Sequence, residues 1–298
     1  MADRRLRIFY TVARLLNFTK AGEHLHMTQP AVTFQIRQLE DQFNTRLFDR
    51  THNKVSLTEA GEQVYIYADR ILKLYDEMSH SIAEMTGDVS GRVILGASTT
   101  IAEYMLPLLI GKFKDKCPDV SISLKEANTE DIITMVENNE VDLAIVEGSV
   151  SNKNLIVEQC RIDQLVVIMP NDHCLSKEKI LHVKDIVSHP FICRESGSGT
   201  QEAIINYVEQ YSPDSILNVC FELSSPEAIK GAVEAGMGIS IVSRASITKE
   251  LRLGTLTAAE LSPRLERPFS FVRQRHQFKS RAASELLEFA QAFCKKTT

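Results

Sequence analysis

Asn17-Phe18-Thr19-Lys20-Ala21-Gly22-Glu23-His24-Leu25-His26-Met27-Thr28-Gln29-Pro30-Ala31-Val32-Thr33-Phe34-Gln35-Ile36-Arg37-Gln38-Leu39-Glu40 is the stretch that decides the reading of this chain. The first part is a short helical run that Met27-Thr28 breaks. Thr28 is a good N-cap, and Pro30 falls in the first turn of the next helix, where a missing N–H costs little. Val32, Ile36 and Leu39 stand at i, i+4 and i+7, one apolar stripe that packs inward. Gln29, Thr33, Phe34 and Arg37 occupy the opposite face. Two short helices joined by a tight turn, the second with polar groups near its start, fit the helix-turn-helix scheme for the DNA major groove. The competing reading of this segment alone is a solvated helical hairpin.

The flank argues against the hairpin. Arg46 to Arg50, Thr51 to Lys54 and Val55 to Thr58 read as strand, polar turn and strand. That is a wing, with Arg50 and Lys54 placed to meet phosphate. Charge agrees: residues 1 to 58 hold 9 Lys and Arg against 5 Asp and Glu, a balance of +4, and the rest holds 25 against 34, a balance of −9. A basic end on an acidic body is what one phosphate-contacting domain produces.

Residues 1 to 58 resemble the winged helix-turn-helix of the LysR-type transcriptional regulators. The family's Thr-Gln-Pro-Ala turn lies at Thr28 to Ala31, its Gln-Leu-Glu helix end at Gln38 to Glu40, its Leu-Phe-x-Arg wing at Leu47 to Arg50, and its Leu-Thr-x-x-Gly exit at Leu57 to Gly61. Many relatives carry Ser or a smaller residue where Thr33 stands and vary at Phe34, so base preference does not carry over. The resemblance implies double-stranded operator DNA, further copies of the chain (homodimer to homotetramer), a small effector and RNA polymerase as partners.

From Thr58, a plausible cap, to Gly87 nothing but Gly61 interrupts a helical pattern. Val64, Ala68, Ile71, Tyr75, Met78, Ile82 and Met85 alternate steps of four and three, a heptad seam that needs a partner. Such a helix spans about 45 Å at 1.5 Å per residue. Residues 59 to 87 are therefore expected to be a linker and dimerisation helix, the alternative being a helix packed on its own body. Residues 88 to 91 read as a hinge.

Beyond it, strands alternate with helices. Strands are expected at Val93–Ala97, Val120–Lys125, Val141–Val146, Leu165–Met169, Phe191–Cys193, Val219–Leu223 and Ile239–Val242. Helices are expected at Ile101–Lys116, from Asn128 to Glu137, and at Thr200–Gln210, Pro226–Glu234 and Ser280–Lys295. This alternation describes an α/β body with largely parallel sheets. The fold class is thus a multidomain α+β chain. It resembles the family's two-lobed effector domain, built like periplasmic binding proteins, with lobe I at 92–163 and 268–298 and lobe II at 164–267.

A ligand in such a body belongs in the crevice at the strand carboxyl ends. Ser98-Thr99-Thr100, Glu147, Arg194 with Ser198-Gly199-Thr200, and Ser224-Ser225 are the candidate ligand residues. Hydroxyls and unpaired N–H groups at helix starts suit an anion, and Arg194 adds a charge-assisted bond. Each has a plainer reading: ordinary helix caps, and Arg194 paired with Glu195 or Glu227. Glu147 is costly in an anion cleft unless it is protonated or paired. Ala97–Ile101, Arg194–Thr200 and Ser225–Lys230 resemble the branch that regulates carbon-fixation operons and sulfur or sulfite assimilation. That branch implies a phosphorylated metabolite, phosphate, sulfate or sulfite as effector.

Other classes fit poorly. No run of 18 apolar residues spans a membrane, and Met1–Arg5 lacks a signal peptide's apolar stretch, so a cytoplasmic protein is expected. Cysteines 117, 160, 174, 193, 220 and 294 are scattered and read as reduced core thiols. His173-Cys174 cannot hold a metal without other ligands, so neither a metal nor a resident cofactor is expected. Catalysis is not expected either: Ser98, Ser196 and Ser198 stand in no Gly-x-Ser-x-Gly elbow, and His173, His182, His189 and His276 stand at no base-like spacing. The remaining alternatives are a non-selective architectural DNA binder and a thiol redox sensor of the same family. The second is disfavoured because Ser198 and Gly199 stand where such relatives place the reactive Cys.

Overall fold

The computed structural model describes residues 2–51, 54–84, 89–275 and 280–296. Two compact units, Met1–Gly87 and Asp88–Thr298, are taken in turn. The expected hinge at 88–91 lies partly outside the described residues, as do Met85, His276 and the tip of the wing.

The first unit opens with α1 (Ala2–Leu15), which sequence analysis did not single out. Its Ile8, Phe9, Val12 and Ala13 recur at helical spacing and are buried. α2 (Phe18–His24) is capped by Asn17, whose side chain accepts from the Thr19 and Lys20 N–H groups. α3 (Gln29–Phe43) starts at Thr28, whose hydroxyl accepts from the Ala31 N–H at 3.4 Å. β1 (Phe48–Thr51) and β2 (Lys54–Leu57) pair antiparallel, Phe48 opposite Leu57, and make the wing. Gly61 ends the family's exit motif for a steric reason: a Cβ there would stand 2.0 Å from the Leu47 carbonyl oxygen. α4 (Glu59–Glu84) follows.

The second unit contains β3 (Gly91–Ser98), α5 (Thr99–Tyr104), α6 (Leu106–Lys116), β4 (Val120–Ala127), α7 (Thr129–Glu137) and β5 (Leu143–Glu147). The helix expected over Ile101–Lys116 breaks at Met105, where Pro107 opens a new first turn. Next come β6 (Leu155–Met169), β7 (Ile180–Leu181), α8 (Val183–Ile186), β8 (Phe191–Arg194), α9 (Gly199–Tyr211), β9 (Val219–Leu223), α10 (Pro226–Glu234) and β10 (Ser240–Ser243). A short 3₁₀ turn leads to α11 (Thr248–Leu253), β11 (Thr257–Gln274) and α12 (Arg281–Lys296).

The sheets are mixed rather than largely parallel. β3 runs parallel to β4 and β5, and β8 to β9, but β6, β10 and β11 pair antiparallel in the order β10-β6-β11-β5-β3-β4. β6 is three times the expected length, and β11 was not foreseen. These two strands lie side by side from Leu155–Gln274 at one end to Met169–Thr257 at the other, with an irregularity between Glu260 and Leu265. Apolar clusters divide along this ribbon. One set gathers Val93, Leu95, Phe113, Phe271 and Leu286, with a satellite around Ile132. The other gathers Leu165, Phe191, Ile204 and Ile241, with a satellite around Ile229. They are called lobe I and lobe II below.

The expectation that all cysteines are free thiols is corrected. Cys160 on β6 and Cys294 on α12 form a disulfide, Cα atoms 5.9 Å apart, although 134 positions separate them in sequence. Cys117, Cys174, Cys193 and Cys220 are free.

Candidate functional site

The helix-turn-helix presents one clean face. Val32, Ile36 and Leu39 are buried in the core of the first unit with Phe9, Phe18 and Phe48. Gln29, Pro30, Phe34 and Arg37 are exposed, and Thr28 joins them at the cap. Gln29 Nε2 donates to Thr33 Oγ1 at 3.0 Å, which orders two polar groups on the exposed surface. Phe34 is 56% exposed, a large apolar ring offered outward with no core role. The helix's other end holds the wing: Glu40 Oε1 accepts from the Leu47 and Phe48 N–H groups at 2.9 and 3.3 Å. The side chains of Arg50 and Lys54 lie outside the described residues.

α4 corrects the expected seam. Ala68 is fully buried in the first unit's own core and Val64 packs against that core, so neither lies on an open face. Tyr65 stacks on Tyr10 with ring centres 5.2 Å apart, and Tyr10 donates to Asp69 at 2.9 Å, which ties α4 to α1. The open apolar face carries Tyr67, Ile71, Leu74 and Met78, again in steps of four and three, with Tyr75 beside it. Ile71, Tyr75 and Met78 belong to both readings; Tyr67 and Leu74 replace Val64 and Ala68. The Ile82 side chain and Met85 lie outside the described residues.

In the second unit the lobes meet around a buried ion cluster. Glu147, at the end of β5 in lobe I, is 1% exposed. Arg267 Nη2 stands 3.0 Å from its Oε2, close but off hydrogen-bond alignment, so the pair is held by charge. Arg267 Nε also donates to Asp163 Oδ2 at 3.0 Å, and Nη1 donates to Thr200 Oγ1 at 2.7 Å. Thr200 passes the connection on, donating to Glu147 Oε1 at 3.2 Å. Ser243 donates to Asp163 Oδ1 at 2.7 Å. Burial pushes the Asp163 carboxyl above its ordinary range against the pull of Arg267 and Ser243. Glu147 is therefore paired, and its partner is a residue that sequence analysis missed. Neither Arg267 nor Asp163 stood out, because each is a single charged residue inside a strand and the pairing is non-local.

The hydroxyls divide into engaged and free. Ser198 caps α9 by accepting from the Thr200 N–H, Ser225 caps α10, and Thr99 donates to the Ala127 carbonyl. Ser224 is exposed. Gly199 cannot carry a side chain, since a Cβ would fall 2.2 Å from the Glu147 carbonyl oxygen. Ser98 differs: it precedes α5 without capping it, is 1% exposed, and its Oγ has no partner among the described residues. Thr100, also buried, lines a cavity of about 240 Å³ with Arg161, Ser243 and Phe269. Arg194 is committed to Glu195 through two bonds of 2.7 and 2.9 Å, the plainer of its two sequence readings.

Comparison with known families decides what this architecture is. The bacterial regulatory helix-turn-helix model of the lysR family matches residues 4–62, and the LysR substrate binding domain model matches residues 86–295. The chain is a LysR-type transcriptional regulator. It is 35% identical to the probable RuBisCO transcriptional regulator of Gracilaria tenuistipitata var. liui over 284 residues, 94% of this chain and 92% of that one. The corresponding protein of Porphyra purpurea is 35% identical over 93% of this regulator and 89% of its own length. Among solved structures, the regulatory domain of CcmR from Synechocystis PCC6803 in complex with 2-PG superposes with a TM-score of 0.64 at 32% identity, covering 69% of this chain and 98% of that one. Full-length CbnR, solved in complex with its target DNA, gives 0.69 at 20% identity over 98% and 99%, a likeness of fold.

Further contacts link this regulator's lobes at the crevice mouth. The Glu130 N–H donates to the Gly197 carbonyl at 3.2 Å, and the Tyr104 hydroxyl donates to Glu227 at 2.5 Å. Glu103 lies beside them; burial first, then Glu126 and Glu227, raise its carboxyl above the usual range. Lys230 is buried with bonds of 2.8 Å to Glu227 and 2.6 Å to Glu250; burial works against its charge, but those two bonds outweigh it and raise its pKa. No helix among the described residues is long and apolar enough to cross a membrane.

Proposed function

We propose that this regulator controls carbon-fixation genes in response to a small phosphorylated organic acid bound between its lobes. The working division is a DNA-binding domain at 1–58, a dimerising linker helix at 59–87, a hinge at 88–91, lobe I at 92–163 and 268–298, and lobe II at 164–267. Gln29, Pro30, Thr33 and Phe34 face bases, Thr28 fixes the helix start, and Arg37, Arg50 and Lys54 meet phosphate. The open face of α4 joins two copies in the cytoplasm, so that paired recognition helices meet paired half-sites and present the DNA to RNA polymerase.

The observation that carries the effector reading is the buried, unpartnered Ser98 Oγ at the lobe I wall. A buried hydroxyl without a partner forfeits a hydrogen bond, and an anionic oxygen restores it. The 32% identical CcmR domain is complexed with 2-PG, which makes 2-phosphoglycolate the first ligand to try. Ser98 and Thr100 take the anion from lobe I, while Arg194 exchanges Glu195 for it from lobe II. Thr200 and Glu147 act differently: they brace the crevice through Arg267. A ligand held by both lobes favours the arrangement in which both reach it, and that difference in affinity shifts the population.

Thermal unfolding with and without 2-phosphoglycolate tests this. At 100 times its dissociation constant a true effector stabilises by about 2.7 kcal/mol, or roughly 5–11 °C for a unit of this size. Ser98→Ala should lose most of that shift while binding operator DNA without ligand as the parent does. A parent that ignores 2-phosphoglycolate, sulfate and phosphate alike, or a Ser98→Ala variant that responds as the parent does, refutes the assignment.

A further inference from the structure

His173 and Cys174 are adjacent in sequence and cannot hold a metal by themselves. The fold supplies a third. His173, Cys174 and His189 bring one ligand atom each within 4.8 Å of one another. His173 and Cys174 sit in the turns that follow β6, where the His173 N–H donates to the Pro170 carbonyl and the Ser176 N–H to the His173 carbonyl. His189 stands just past α8, its N–H donating to the Ile186 carbonyl at 3.1 Å. The two imidazoles meet edge to face, centres 4.8 Å apart and planes at 67°. Cys174 Sγ is 3.9 Å from His173 Nδ1, and the thiol is free and exposed.

We propose that His173, Cys174 and His189 bind a thiophilic divalent transition ion of the zinc class, with water in the fourth position. Two imidazoles and one thiolate are donors of the type such ions select. With Zn–S about 2.3 Å and Zn–N about 2.0–2.1 Å, tetrahedral ligand atoms stand roughly 3.3–3.6 Å apart. The present separations, at most 4.8 Å, exceed that by no more than about 1.5 Å, within the reach of side-chain rotation at an exposed Cys and two half-buried His. Besides the Cys174 thiol, Nδ1 of His173 accepts a long bond from the Leu175 N–H at 3.3 Å, which the ion replaces. His182 is not part of the set, since its Nδ1 pairs with the Ser262 carbonyl. The ion would fasten the loop after β6 to the end of α8, on residues of lobe II that the effector crevice does not use.

Cobalt(II) is the probe, because a thiolate bound to it gives a sulfur-to-metal charge-transfer band in the near ultraviolet. Tag-free, full-length protein with Cys174 as the thiol and the Cys160–Cys294 disulfide intact should show this band saturating at one ion per chain, and zinc should bleach it. Cys174→Ser should abolish the band with an unchanged circular dichroism spectrum, whereas Cys220→Ser, which removes the other exposed free thiol, should keep it. His189→Gln should weaken binding by at least the roughly 10–100-fold that loss of even an outer partner costs. Absence of the band at one equivalent, its survival in Cys174→Ser, or unchanged affinity in His189→Gln overturns the proposal.

Discussion

Replacing Arg267 with Met removes the one cation from a cluster in which Glu147, Asp163 and Arg267 are each at most 2% exposed. Both carboxylates then remain in a low-dielectric site without a counter-charge, and Thr200 loses its donor. Removing one partner from a buried ion pair costs about 3–5 kcal/mol, because the penalty is the stranded charge rather than the lost contact. For the unit Asp88–Thr298 that is a fall of roughly 6–20 °C in melting temperature, at about 2–4 °C per kcal/mol. The pH dependence separates this account from simple loss of packing. Burial already raises the Asp163 carboxyl and Arg267 is the largest influence lowering it, so the variant raises it further above its unfolded value. The folded state then binds the proton more tightly than the unfolded state. Stability is fully present below the unfolded value of about 3.9 and is lost as pH rises through the folded value. Calorimetry on the full chain should therefore show Arg267→Met regaining stability between pH 7.5 and pH 5, more than the parent does. Adding Asp163→Asn should recover part of the loss at pH 7.5. A variant that melts within about 2 °C of the parent at pH 7.5, with no recovery on acidification, refutes the reasoning.

Two further outcomes separate packing from assembly in the first unit. Leu74→Asp, on the open face of α4, should shift the full-length protein toward monomer in sedimentation without lowering helicity, whereas Ala68→Asp buries a charge in the first unit's own core and should unfold it; the opposite pattern would put the seam back at Val64 and Ala68. Glu40→Ala leaves the Leu47 and Phe48 N–H groups without their acceptor and should destabilise the first unit by about 1–3 kcal/mol while weakening binding to all DNA sequences alike. An unchanged melting temperature would mean that water replaces the carboxylate at no cost.

Local physics was legible from residues alone. Caps, prolines in first turns and apolar stripes depend on neighbours a few positions away, so Thr28, Asn128 and the burial of Val32, Ile36 and Leu39 were readable before any fold was known. The same is true of α10, expected and found at Pro226–Glu234. The seam on α4 was half legible: a period of 3.5 says that a face is apolar but not which neighbour covers it, and the first unit's own core takes Val64 and Ala68. Residues 257–274 were not read as a strand because Pro263, Arg264, Glu266, Arg267 and Pro268 carry turn-like and solvent-like chemistry. Fourteen pairings with β6, about a hundred positions earlier in the chain, hold them in the sheet. The tertiary structure alone brought Arg267 to Glu147 and Asp163, Cys160 to Cys294, and His189 to His173 and Cys174. Charge, thiol and imidazole partners are chosen by distance in space, and sequence spacing records only distance along the chain.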